Sequence, residues 1–232
     1  MKPSPFMLAF DCACSALSVA VLEGQTVVAQ HFETAATGQS ATLAPAIQRT
    51  LQQAGIGSDR LGLIGVTSGP GSFTGIRIGL AMARGLALAL DAPLAACSTF
   101  EAVAHNLPPH GADQARTVLA IDSRREEMFL ALDTPQQPFI ARPDDAVAAL
   151  PRGRYALAGD GAGLLRAAFE TAGRGGEIAA SDERPPVAAI FAPALAALGA
   201  EHWRQRNRRE GMPRPLYLRE ADVTLPRPVG WQ

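Results

Sequence analysis

The stretch Ser68-Gly69-Pro70-Gly71-Ser72-Phe73-Thr74-Gly75-Ile76-Arg77-Ile78-Gly79 constrains the fold more than any other. It follows a short apolar run, residues 61–67, and opens a long one that ends before Pro93. That order predicts a buried strand, a tight turn, and a helix over residues 73–90. A glycine-rich turn at a helix start can hold an anion, because free N–H groups point outward there. Spacing excludes the two familiar phosphate loops. A P-loop needs Gly-Lys-Ser/Thr, whereas Gly75 is followed by Ile76 and Arg77. A dinucleotide loop needs G-x-G-x-x-G, and Gly69, Gly71 and Gly75 are spaced one residue too far. The plainer role, which the residues by themselves favour, is that Gly69 and Gly71 turn the chain while Ser72 caps the helix.

The helix carries a second pattern. Gly75, Gly79, Ala83 and Ala87 recur every fourth residue and form a flat row; Ile78, Met82, Leu86 and Leu90 form an apolar row beside it. Glycine inside a helix costs about 1 kcal/mol relative to alanine. Three of them, Gly75, Gly79 and Gly85, therefore call for a packing reason. Either the smooth row lies on this chain's own sheet, or one face takes the sheet and the other a partner helix. The pattern leaves both open.

Ahead of this element, residues 5–11, 17–22 and 26–32 read as three strands in a meander, with Gly24 at a turn. Residues 40–54 read as a helix with Leu43, Ile47 and Leu51 on one stripe, Ser40 at its start and Gly55 at its end. Pro45 moves the expected start toward Ala44 or kinks the helix. After it come a strand at 94–97, a helix at 98–106 and a linker at 107–111 containing Pro108 and Pro109. A second hairpin follows (117–122 and 127–132), then Pro-rich loops. Next come a strand at 155–158, the turn Gly159-Asp160-Gly161 and a helix at 164–172. One helix over 187–206 and an extended tail over 211–232 close the chain. Each half opens with strands and closes with helices, an α/β pattern that suggests duplication.

Charge and composition narrow the function. The net charge of −1 provides no global positive field for nucleic acid. No apolar run reaches membrane-spanning length, and the N-terminus reads as a first strand rather than a secretory signal. Three cysteines are too few for a disulfide framework, which points to a reducing cytoplasm. His31, His105, His110 and His202 offer no metal-binding pair, and Cys12 and Cys14 read as buried small residues. Asp11 and Asp122 each end an apolar strand; such acids either hold magnesium through water or cap the next turn. Gly159 to Gly163 is a second glycine turn, read first as a plain strand–helix connection. Arg204, Arg206, Arg208, Arg209, Arg214 and Arg219 form the one local basic run. It reads as a solvated helix end before it reads as a nucleic-acid contact.

Several motifs in order carry a resemblance. They are Leu8-Ala9-Phe10-Asp11, Ala16-Leu17-Ser18-Val19-Ala20, Gly38-Gln39-Ser40, the glycine element above, Ile121-Asp122-Ser123-Arg124-Arg125-Glu126-Glu127 and Pro215-Leu216-Tyr217-Leu218-Arg219. Together they resemble the TsaB family, glycoprotease-like paralogues of TsaD. The resemblance implies a two-domain α/β fold of the actin, Hsp70 and sugar-kinase (ASKHA) class. Residues 1–107 would form an N-terminal domain with the partner-binding helices, and 108–232 a C-terminal one. It also implies a non-catalytic scaffold in the bacterial assembly that places threonylcarbamoyl on adenosine 37 of tRNAs reading codons that start with A. The partners would be a TsaD-like catalytic paralogue and a TsaE-like ATPase, with tRNA reached through the complex, a homodimer when alone, and no membrane. ATP and metal would belong to the partner subunits, with no cofactor in this chain.

The resemblance places the interface on the first and long helices, at Leu43, Ile47, Leu51, Gly75, Ile78, Gly79 and Met82. A remnant nucleotide or anion site would involve Asp11, Gly69, Gly71, Ser72, Asp122, Gly159 and Gly161. The sequence departs from the superfamily where Asp11 is followed by Cys12-Ala13 instead of Thr-Ser, and where Gly38-Gln39-Ser40-Ala41 replaces Gly-His-Ser-Glu. The first departure weighs against an independent ATP-dependent phosphotransferase of the same fold. The missing histidine pair weighs against a metalloprotease-like enzyme.

Overall fold

The structure, a computed structural model, describes residues 6–34, 39–107, 115–133 and 137–219. Gly38, most of the expected linker, His110 and the tail beyond Arg219 lie outside the described residues, as do the side chains of Gln39 and Ser40.

Two five-stranded sheets form the frame. The first contains β1 (Phe6–Asp11), β2 (Ala16–Glu23), β3 (Thr26–Thr34), β4 (Leu61–Thr67) and β5 (Leu94–Cys97), in the order β3-β2-β1-β4-β5. β1 pairs antiparallel with β2 and parallel with β4. The second contains β6 (Arg116–Asp122), β7 (Met128–Leu132), β8 (Pro138–Ala141), β9 (Tyr155–Ala158) and β10 (Ile178–Asp182). Its order, β10-β9-β6-β7-β8, repeats the first when the strands are matched one to one. β6 pairs antiparallel with β7 and parallel with β9, as β1 does with β2 and β4. This is the duplicated α/β architecture of the actin, Hsp70 and sugar-kinase class. The central strands are covered on both faces, so β1 (Phe-Met-Leu-Ala-Phe-Asp) is buried at every position and needs no polar alternation.

Helices α1 (Gln39–Gln53) and α2 (Phe73–Ala89) cover one face of the first sheet. The other face is covered by α6 (Ala188–Ala197), with Trp203 of α7 (Gly199–Glu210) behind it. One face of the second sheet holds α4 (Pro143–Ala149) and α5 (Ala162–Thr171). Its other face meets α3 (Thr99–Ala104), where Phe100, Val103 and Cys14 pack on Leu119, Ile121, Phe129, Ala131 and Ala158. This apolar cluster joins the two halves.

Four details differ from the sequence reading. α1 starts at Gln39 and runs through Pro45 on its exposed side, rather than starting near Ala44. The Pro-rich stretch holds β8 and α4; Pro143 stands in the first turn of α4, where the missing N–H costs nothing. β10 was not foreseen. The helix expected over 187–206 is two helices, broken at Gly199, whose φ of 77° is open to glycine.

Candidate functional site

The turn before α2 is built from the first hairpin. Ser72 caps α2, its Oγ accepting from Gly75 N–H at 3.3 Å. Ser72 N–H donates to the Ala13 carbonyl at 2.7 Å. A Cβ on Gly71 would sit 2.5 Å from that carbonyl, and one on Gly75 would collide with the Cys12 carbonyl. The Cys12 thiol donates to Gly75 O at 3.4 Å. A Cβ on Gly69 would crowd Ile76 and the Leu216 carbonyl at 2.8 Å. The glycines thus admit backbone. Gly71 and Ser72 line, on their other side, an open cavity, while the Cβ side of Gly71 and Gly75 is filled by the Cys12–Ala13 turn.

The second glycine turn is filled in the same way. A Cβ on Gly159 would strike the Ala120 carbonyl, and one on Gly161 would lie 3.0 Å from Asp122 N. Among the described residues no group of three or more His, Cys, Asp or Glu side chains is placed to hold a metal. Asp11 is fully buried; Thr67 Oγ1 donates to its Oδ1, while its Oδ2 has no hydrogen-bond partner. Burial pushes its pKa to about 7, against the downward pull of the Thr67 hydroxyl. The Cys12 thiol is pushed up to about 12 by burial and by Asp11, which makes it inert. Asp122 caps its own turn, its Oδ1 accepting from Arg124 N–H at 2.7 Å.

α2 presents three faces. Gly75, Ile76, Gly79, Leu80, Ala83 and Ala87 point into the chain's own core. A Cβ on Gly79 would lie 3.2 Å from Cys12 Sγ and 3.6 Å from Val66. The row of small residues therefore serves close packing on the first sheet, and Gly75 and Gly79 are not surface residues. Leu43 and Ile47 of α1 are core residues as well. Leu51, Ile78, Met82, Leu86 and Leu90 are partly buried and pack on the edge of that core. Gly85 meets nothing, and a Cβ there would enter open space. Ile78, Met82, Gly85 and Ala89 fall at i, i+4, i+7 and i+11, one line along the helix. That line is flanked by exposed Ala81 and by Leu88, which is 82% exposed. The outward face of α2 is thus apolar and low in relief. Gly85 stands at its middle.

The segment after α7 is a second feature that sequence spacing alone did not reveal. Leu216 N–H donates to Ser68 O at 2.7 Å. Arg77 lies over the Phe73 ring, 3.6 Å from its centroid, and donates through Nε to Tyr217 Oη at 2.9 Å. Arg84 holds the Pro213 carbonyl, and Arg219 pairs with Glu127 on the second half. Together with the β6–β7 turn, this strap and the α2 start border an open cavity of about 420 Å³ lined by Gly71, Ser72, Phe73, Arg124, Tyr217 and Arg219. The basic run is partly engaged. Arg204 bonds the Asp91 carbonyl, Arg206 stacks on Trp203 and pairs with Glu210, and Arg209 shares Glu210.

Comparison with known proteins agrees with this architecture. A family model described as TsaD, tRNA N6-adenosine threonylcarbamoyltransferase, matches residues 27–149, a little over half of the chain. The tRNA threonylcarbamoyladenosine biosynthesis protein TsaB of Escherichia coli (strain K12) is 36% identical over 126 residues, which is 54% of this chain and 53% of that protein. TsaB of Bacillus subtilis (strain 168) is 36% identical over 100 residues, 43% of this chain and 44% of that protein. The chain spans about half the length of these curated relatives. The solved structure of YeaZ from Pseudomonas aeruginosa superposes with a TM-score of 0.67 at 24% identity, covering 92% of this chain and 99% of that one, a likeness of fold. With its duplicated sheets, its glycine element and these matches, the chain belongs to the TsaB family, whose shared domain is the one the TsaD family model describes.

Proposed function

We propose that this chain is a non-catalytic subunit of the assembly that makes threonylcarbamoyladenosine in tRNA. Its relatives are named for that biosynthesis. In this reading α1 and α2 form the docking face for a TsaD-like catalytic paralogue. A TsaE-like ATPase completes the assembly, and tRNA is reached through the complex. ATP and the metal belong to the partner subunits, in the cytoplasm. The observation that carries the reading is the outward face of α2. A soluble chain leaves few contiguous apolar surfaces uncovered without a use for them. This one, Ile78, Met82, Gly85 and Ala89, is smooth enough for a second helix to approach closely. The non-catalytic part is supported by Cys12 and Ala13, which stand buried where the superfamily carries the hydroxyls of Thr and Ser.

Reconstitution tests it. Threonylcarbamoyl transfer to tRNA is measured with the catalytic paralogue and the ATPase, with and without this chain. Activity that depends on adding the chain is expected, with no turnover of ATP or tRNA by the chain alone. Full activity in its absence, or ATP hydrolysis by the purified single chain, overturns the assignment.

A further inference from the structure

Asp160 lies in the turn between β9 and α5, away from the docking face. Its turn is pressed onto β6: Gly161 N–H donates to Ala120 O at 3.0 Å, and neither flanking glycine has room for a Cβ. From this fixed backbone the carboxylate reaches two segments. Oδ1 accepts from Asp122 N–H at 3.0 Å, at the end of the central strand of the second sheet. Oδ2 accepts from Ser15 N–H at 3.0 Å, in the β1–β2 turn of the first sheet. The Ser15 hydroxyl adds a further hydrogen bond. The setting is otherwise unfavourable to a carboxylate. It is desolvated and feels the charge of Asp122, and its own charge in turn raises the pKa of Asp11. Convergent N–H and O–H donors compensate, as they do for a bound anion.

We infer that Asp160 is a built-in anionic ligand whose carboxylate sits where N–H donors of the two halves converge and fixes the first hairpin turn on the second sheet with no bound molecule. The apolar cluster around Phe100 and Ile121 supplies adhesion between the halves, but apolar contact is non-directional. The two hydrogen bonds to Asp160 supply the register. While the side chain is in place, the Ser15 and Asp122 N–H groups are not available to an external anion. The same two donors become an anion site if the carboxylate is removed.

Amide hydrogen exchange at Ser15 and Asp122 reads this directly, in the wild type, Asp160→Ala and Asp160→Asn. Each is measured in sodium formate and in sodium chloride at equal ionic strength. Formate replaces the excised carboxylate. In chloride, Asp160→Ala is expected to exchange both amides about tenfold faster or more, while Val19 keeps its protection. Formate restores protection in the variant and changes nothing in the wild type. Asp160→Asn retains one acceptor and exposes one of the two amides, because its NH2 group faces the other donor. If Asp160→Ala does not fold, the asparagine variant carries the test. Unchanged exchange in the folded variants, or formate acting no differently from chloride on Asp160→Ala, overturns the inference.

Discussion

Gly75 and Gly85 occupy the same helix, yet a methyl group added to each meets opposite surroundings. At Gly75 it meets the Cys12 carbonyl, which is backbone and cannot rotate away. At Gly85 it meets nothing. Gly85→Ala should stabilise the fold by up to about 1 kcal/mol through helix propensity. Gly75→Ala should destabilise it by about 1–3 kcal/mol through overpacking, despite the same gain in propensity. Urea unfolding of the two variants checks the sign of each. The sequence spacing could not separate them. A row of glycines announces close approach, but not what approaches. Asp160 was equally hard to read, since an aspartate between two glycines has the composition of an ordinary turn. Asp11 was legible as a strand-ending acid, but its burial was not. Its folded pKa of about 7 lies above the unfolded value of 3.8, so the folded state holds the proton more tightly. The stability this adds is full below pH 3.8 and is lost as pH rises through about 7. The slope from this group is at most about 1.4 kcal/mol per pH unit. Asp11→Asn should remove that contribution. Unfolding midpoints from pH 4 to pH 8 would then fall less steeply in the variant; parallel curves would contradict the assignment.

Among the elements, β1 and β4 were legible because burial on both faces leaves them as plain apolar runs between turn residues. β10 was not, because Ile-Ala-Ala-Ser-Asp at a sheet edge is mostly exposed and carries no alternation. β8 was hidden behind its own proline. The split between α6 and α7 turns on a single left-handed glycine within a run that is otherwise helix-forming. Which sheet α6 covers was beyond the pattern, since its alanine and leucine face no preferred direction. α7 also performs a task that a charge pattern conceals. The Asn207 side chain accepts from Leu94 N–H at 2.8 Å and donates to Leu94 O at 3.0 Å. It thereby completes the edge strand β5 as a neighbouring strand would, which protects that edge. Asn207→Ala should cost about 1–3 kcal/mol, since both backbone groups lose their partner. Asn207→Asp keeps the acceptor and loses the donor, so its unfolding midpoint should fall between those of the wild type and the alanine variant.

At the scale of the whole molecule, two copies of one sheet topology are joined by an apolar cluster, a carboxylate bridge and a C-terminal strap. The glycine turns of both copies have their Cβ sides filled by the chain itself, and one apolar surface left uncovered among the described residues is the outward face of α2. Legibility differed between these. The family was carried by motif order and the duplication was suggested by the order of strands and helices, whereas the outward residues of α2 were not legible, because a helix with apolar residues on several sides does not say which side faces the sheet. Of the residues the resemblance places at the interface, Leu43, Ile47, Gly75 and Gly79 are buried in the chain's own core and Leu51, Ile78 and Met82 are partly exposed, and Gly85 is proposed in addition. The affinity of Gly85→Arg for the catalytic paralogue, measured with its melting temperature, tests the account most directly. The predicted result is a variant that melts at or above the wild-type temperature and binds about 100-fold more weakly or worse, as expected for a blocked interface centre. A variant that folds and binds as tightly as the wild type would contradict it.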